Sequence, residues 1–160
     1  MPSFQSFFIE SKGKPILYED KILHLGDFFP INDNDKLIIT LEKVNSEWEQ
    51  GVGLSFKGTF EVEGQIFENK ISFWKGDAPD QIQIVVHPEK GSSSILVKNL
   101  WQNTDHLGNK FINSGVNGAA MIIKEVPNGR RYYCNDGHPD DNFDDIVFSI
   151  QKVVCWYPSN

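Results

Sequence analysis

GLSFKGTFEVEGQIFENKISFW, residues 53–74, reads as two β-strands joined by a tight turn. Phe56, then Thr59 or Phe60, and Val62 mark the first strand, and Ile66, Ile71 and Phe73 mark the second. A period near two is what a half-buried strand requires, because successive side chains point to opposite faces of a sheet. Glu63-Gly64 stands between the two runs and is the expected turn.

The same period recurs on both sides. KLIITLEKV (36–44) sets Leu37, Ile39 and Leu41 against Ile38 and Thr40. QIQIVVH (81–87) and SILVKNLW (94–101) flank PEKGSS, a good turn composition. GAAMIIKEV (118–126) and RRYYC (130–134) flank Pro127-Asn128-Gly129, the strongest short-range hairpin signal in the chain. DIVFSIQKVVCWY (145–157) places Ile146, Phe148 and Ile150 on one face, and SFFIE, PILYE and KILHL add short N-terminal elements. No helical period exceeds a turn or two. The expected fold is all-β: one domain over residues 1–160, an antiparallel two-sheet sandwich, jelly-roll-like, of about nine to eleven strands. QNTDHLGNKFINSGVN (102–117) reads as a long polar loop, of the kind that carries binding residues.

Composition narrows the function. A chain of 160 residues with 39% hydrophobic and 12% aromatic side chains can bury a core, which argues against disorder. A net charge of −7 argues against nucleic acid as a partner, because binding its backbone takes a surplus of Lys and Arg. No run approaches the roughly 18 apolar residues of a membrane span. MPSFQSFFIES lacks the basic and continuous apolar regions of a signal peptide, so the chain reads as cytoplasmic as synthesised, with non-classical export left open. Cys134 and Cys155 fit neither a zinc framework nor a disulfide-rich scaffold, and two free thiols are preferred over a pair.

Chemistry concentrates in CNDGHPDDNFDDIVFSI (134–150), where Asp136, Asp140, Asp141, Asp144 and Asp145 fall within ten residues. Carboxylates this close repel one another unless water or a cation separates them. Ca²⁺ takes about six to eight oxygen ligands, several of them carboxylate. Asp136, Asp140, Asn142, Asp144 and Asp145 are the candidate ligands, and Ca²⁺ is the implied cofactor. The loop is not an EF-hand, since Asp145 replaces the required Gly, Gln151 replaces the closing Glu, and a strand follows. Asp33 and Asp35 form a second acidic cluster before the strand at 36, with Asp27 upstream, and Asp77 and Asp80 precede a third strand. Loops before strands of one direction share an end of a sandwich, so two such clusters are expected to converge.

NFDDIVFSI, preceded by Asp140-Asp141, resembles the ending of calcium-associated β-sandwich modules of bacterial surface and secreted proteins. Tyr133-x-Asn135-Asp136, the acidic loop and Phe148-Ser149-Ile150 are similar to the C-terminal part of PA-IL-type calcium-dependent galactophilic lectins, with Asp144-Asp145 nearest to the paired Asn of those lectins. That resemblance covers about 18 residues and implies a loop that holds Ca²⁺, whose shell sugar hydroxyls complete.

Other residues are weighed against this reading. Arg130-Arg131, the only arginines, point to opposite faces and are read as structural braces. His24, His87, His106 and His138 form no HxH or HExxH pair, so no zinc signature is present. His138 sits among carboxylates, which are expected to make it pH-sensitive, and is a candidate ligand contact. His106 follows Asp105 in the long loop, and both are candidate ligand contacts. Trp74 and Trp101 end strands beside polar loops and are candidate platforms for a sugar ring, whereas Trp156 is read as core. With no GxSxG elbow and no phosphate loop, chemistry is the minority reading. The expected function is a calcium-dependent ligand-binding module for a glycan or another small ligand, with oligomeric state left open. The alternatives are a small enzyme using an Asp or His138 as acid and base, and a calcium-stabilised protein-interaction module.

Overall fold

The computed structural model describes residues 4–114, 119–137 and 141–153. Among these, one short helix precedes twelve strands. The N-terminal elements are α1 (Phe4–Glu10), β1 (Ile16–Tyr18), β2 (Lys21–Leu23) and β3 (Asp27–Asn32). β4 (Lys36–Val44), β5 (Glu49–Val62), β6 (Gln65–Trp74) and β7 (Gln81–Pro88) follow. β8 (Ser92–Thr104), β9 (Lys110–Asn113), β10 (Ala120–Val126), β11 (Gly129–Asn135) and β12 (Ile146–Lys152) complete the order. The fold is all-β and antiparallel, as the alternation implies. No helix among the described residues is long and apolar enough to cross a membrane.

Three local readings are corrected. The SFFIE run is helical and lies within α1, where Phe4 and Phe8, one turn apart, are both buried. Lys12 (φ 56°) and Gly13 (φ 80°) then end the helix, with Gly13 N donating to Phe8 O at 2.8 Å. The expected long loop at 102–117 is a hairpin as far as it is described: β8 runs on to Thr104, and β9 returns along it. β3, which the alternation did not reveal, contains Pro30 and pairs only with β8. Proline is tolerated there because an edge strand need not donate on its free side.

The strands join in the order β10-β11-β12-β4-β7-β5-β8-β3, with β6 on β5 and β9 on β8; β1 and β2 form a separate hairpin. β5 bends this ladder. Both its halves pair with β6, with a register shift between Ser55 and Thr59, while its first half also pairs with β8 and its second half with β7. The sheet thereby curls into a sandwich whose remote strands meet. On β11, Arg130 Nη1 and Tyr132 Oη both donate to Asp27 Oδ2 of β3, at 2.8 and 2.7 Å.

The two halves enclose the alternating residues. Leu37, Ile39 and Leu41 of β4, Ile82, Ile84 and Val86 of β7, and Ile95 and Val97 of β8 share one core with Ile146, Phe148 and Ile150. Each such side chain contributes about 1.5–3 kcal/mol on burial. Cys134 is a buried free thiol in the same core, and burial pushes its pKa well up. Cys155 and Trp156 lie outside the described residues. A second, smaller core forms beneath the N-terminal elements, where Phe4, Phe8 and Leu23 pack with Ala120 and Phe143.

Candidate functional site

The acidic loop leaves β11 at Asn135 and enters β12 at Ile146. Asn135, Asp136 and Asp145 are buried rather than solvated. Asn135 Oδ1 accepts from Phe143 N at 2.7 Å, and Asn99 Nδ2 donates to Asn135 O at 2.9 Å. Asp145 Oδ2 accepts from Asp136 N at 2.9 Å. Asp136 Oδ2 accepts from Ser46 Oγ at 2.6 Å and from Gln50 Nε2 at 3.0 Å. Phe143 occupies the left-handed region at φ 53°, which costs a side chain of its size about 1–2 kcal/mol. Stacking on Phe4 and burial in the smaller core offset that cost.

Gln50 is the site residue that the sequence reading missed, because it is 86 positions from Asp136 and has no motif around it. It is 1% exposed. Its Nε2 donates to Asp136 and, at 3.2 Å, to Trp48 O, so both partners are acceptors and fix the amide's orientation. Its Oε1 is consequently buried with no hydrogen-bond partner. A buried carbonyl oxygen beside a buried carboxylate is a fitting ligand for a hard cation. Among the described residues no group of three or more His, Cys, Asp or Glu is placed to hold a metal.

The remaining predicted ligands are scattered. Asp144 is half-buried, accepts from Asn45 Nδ2 at 3.0 Å and lies 3.6 Å from Lys43 Nζ. Asn142 is exposed. Asp140 and His138 lie outside the described residues. Asp33 and Asp35 do not converge on this loop. β4 separates them: Asp35 precedes its first residue, whereas Asn45, just past its end, donates from its backbone to Asp145 O. Ten residues of strand place the two loops about 30 Å apart. Asp33 instead meets His87 Nδ1 at 3.2 Å, and Asp35 accepts from Asn32 N at 2.8 Å and meets Lys152 Nζ at 3.2 Å.

The end of the fold that holds Asp136 also gathers tryptophans. Trp101 is 1% exposed and packs with Trp48 around Gly137, where an added Cβ would stand 3.2 Å from one ring and 3.4 Å from the other. Both faces of Trp101 are thus committed to protein, and it offers no platform for a ligand. Asp105 holds its own turn: its carboxylate accepts from Leu107 N at 2.9 Å and Asn109 N at 2.8 Å, and these bonds lower its pKa. His106 is exposed at the tip of that turn. Arg130 braces β3, and Arg131 Nε donates to Glu42 at 2.9 Å. Both arginines serve structure, although neither touches the acidic loop among the described residues.

Trp74 is the half-exposed tryptophan that meets a cavity. Part of its ring lies over Gly51, whose absent Cβ would come within 2.8 Å of it. The rest lines a cleft of about 520 Å³ between β6 and the start of β7. Asp77, Gln81 and Gln83 supply carboxylate and amide groups there, and Pro79 and Ile38 supply apolar surface. Lys75 N donates to Gln50 O, so the strand end that carries Trp74 is tied directly to the residue under Asp136. No protein-family model, curated protein or solved structure matches the chain.

Proposed function

We propose that the protein is a carbohydrate-binding β-sandwich module whose sugar seat is the Trp74 cleft, with calcium held by the loop around Asp136. The observation that carries this reading is the composition of the cleft: one half-exposed indole bordered by two carboxylates, Glu63 and Asp77, and two amides. A sugar ring presents an apolar C–H face and a rim of hydroxyls. The indole suits the first, while Asp77, Gln81 and Gln83 suit the second, since each can both fix and orient a hydroxyl. The open cleft has room for a short oligosaccharide.

Asp136, Asp145 and Gln50 Oε1 are the groups that would hold the ion. When bound, calcium offsets the repulsion between the carboxylates and gives Gln50 Oε1 a partner. The protein's own residues transmit that order to the cleft through the backbone bond from Lys75 to Gln50. The role expected of Trp101 in covering a sugar ring passes to Trp74.

The test is a glycan screen of the wild-type protein in calcium, repeated with Trp74→Ala. Truncating a central aromatic platform should weaken any hit about tenfold or more without lowering the thermal midpoint appreciably. Hits that survive the substitution would remove the cleft from the reading.

A further inference from the structure

Beside the Trp74 cleft lies a second hollow of about 360 Å³, on the outer face of β5, β6 and β8. Strand register builds it in rows. Ser72 of β6, Gly53 of β5 and Lys98 of β8 stand abreast, and Lys70, Ser55 and Leu96 form the next row. Gly53 makes room for the Leu100 side chain, which lines the hollow: an added Cβ there would stand 3.1 Å from it. Ser72 lines both this hollow and the Trp74 cleft, so the two are contiguous across β6. On the other side a third hollow, also of about 360 Å³, shares Leu96, Lys98 and Ser114 with it.

The charge of this surface opposes that of the chain. The protein carries −7 overall. Yet among the described residues no Asp or Glu lines either hollow, while Lys70 and Lys98 do, together with Ser55, Ser72 and Ser114. Lys98 is half-buried between the two hollows, where partial desolvation strengthens its field. Two strand spacings and one row separate Lys98 from Lys70, so their backbones stand about 12 Å apart on the sheet. Serine hydroxyls and lysine ammonium groups facing one open lane are the donors that an oxyanion requires.

We propose that this face extends the Trp74 cleft into an anion-binding trough, and that the ligand is an acidic polysaccharide carrying carboxylate or sulfate groups. The proposal rests on the carbohydrate reading of the cleft. A neutral ring sits on Trp74, the chain crosses β6 at Ser72, and an acidic residue of the polymer reaches Lys98 and then Lys70. Carboxylate and sulfate share the chemistry and are told apart by the probes.

The experiment is calorimetric titration with two matched pairs, oligogalacturonate against its methyl ester and dextran sulfate against dextran. Wild type, Lys98→Gln, Lys98→Arg, Lys70→Gln and Trp74→Ala are compared at low and high salt. One acidic probe should bind about tenfold more tightly than its neutral partner, and Lys98→Gln should abolish most of that difference while Lys98→Arg retains it. High salt should weaken only the acidic probe. If acidic and neutral partners bind alike, if no probe binds, or if Lys98→Gln changes nothing, the trough is overturned. Acidic binding that falls with Lys98→Gln but ignores Trp74→Ala overturns the cleft and leaves the trough.

Discussion

Asp27 holds more of the molecule together than its place beside β3 suggests. One oxygen accepts from both Tyr132 and Arg130, and the carboxylate is only 12% exposed. Burial and the bond to Asp27 push the Tyr132 pKa far up, so the phenol remains a donor at any working pH. Asp27→Ala strands a buried hydroxyl and a half-buried guanidinium, and should cost about 2–4 kcal/mol in urea unfolding. Tyr132→Phe removes one donor and leaves the ion pair, and should cost about 1 kcal/mol. Equal losses from the two variants would mean that the shared oxygen is not what joins β3 to β11. His24 gives a pH signature at the same scale. Burial lowers its pKa below the ordinary 6.5, outweighing the opposing pull of Asp27. The unfolded chain therefore takes up the proton first as pH falls. Stability present above pH 6.5 should decline below it until the folded-state value is passed, and His24→Gln should lack that part of the decline in pH-dependent unfolding.

Hairpins show what was legible in the sequence and what was not. Glu63-Gly64 turns β5 into β6 as read, with φ of 50° and 79°, the doubly positive pattern of a type I′ turn. The Pro127-Asn128-Gly129 hairpin also forms, but its turn residues are Pro127 and Asn128, because Val126 pairs with Gly129. Asn128 at φ 63° after a proline is the type II pattern. Gly129 is needed for a different reason: a Cβ there would stand 1.9 Å from Ile150 O. Gly129→Ala should accordingly destabilise by about 3 kcal/mol or more in thermal unfolding, since backbone must move. Gly64→Ala, with nothing within 4 Å of the added atom, should cost only the φ strain of about 1 kcal/mol. Alternation revealed β4, β7 and β8 because one face of each is buried, and β12 through Ile146, Phe148 and Ile150 although its other face is buried too. It missed β3, whose Pro30 reads as a breaker, and β9, whose KFIN lies in polar surroundings. It misread α1, since a run as short as SFFIE, with three apolar residues, fits a strand as well as a helix.

At the level of the whole molecule, the pairing of β12 with β4 decides which acidic residues can act together, and no local pattern encodes that pairing. The 134–145 loop was recognisable from its carboxylates, whereas its partners Ser46 and Gln50 come from a distant strand start. Calcium, with magnesium as control, should raise the thermal midpoint of wild type by mass action, and Gln50→Leu, which removes the orphaned oxygen without adding charge, should reduce the rise. No rise at millimolar calcium would remove the ion from this loop. The N-terminal hairpin and α1 carry the remaining consequence. They form their own small sheet and core, and their backbone ties to the ladder include the isolated bridge of His24 to Met121. A unit so lightly sewn on should breathe before the sandwich opens, with amides of residues 4–23 exchanging by sub-global excursions well ahead of those in β4 and β12. Phe143 is shared between that unit and the acidic loop. Whatever stiffens the loop therefore acts as a brake on the breathing, and slower deuterium uptake in α1 would register an event in the loop.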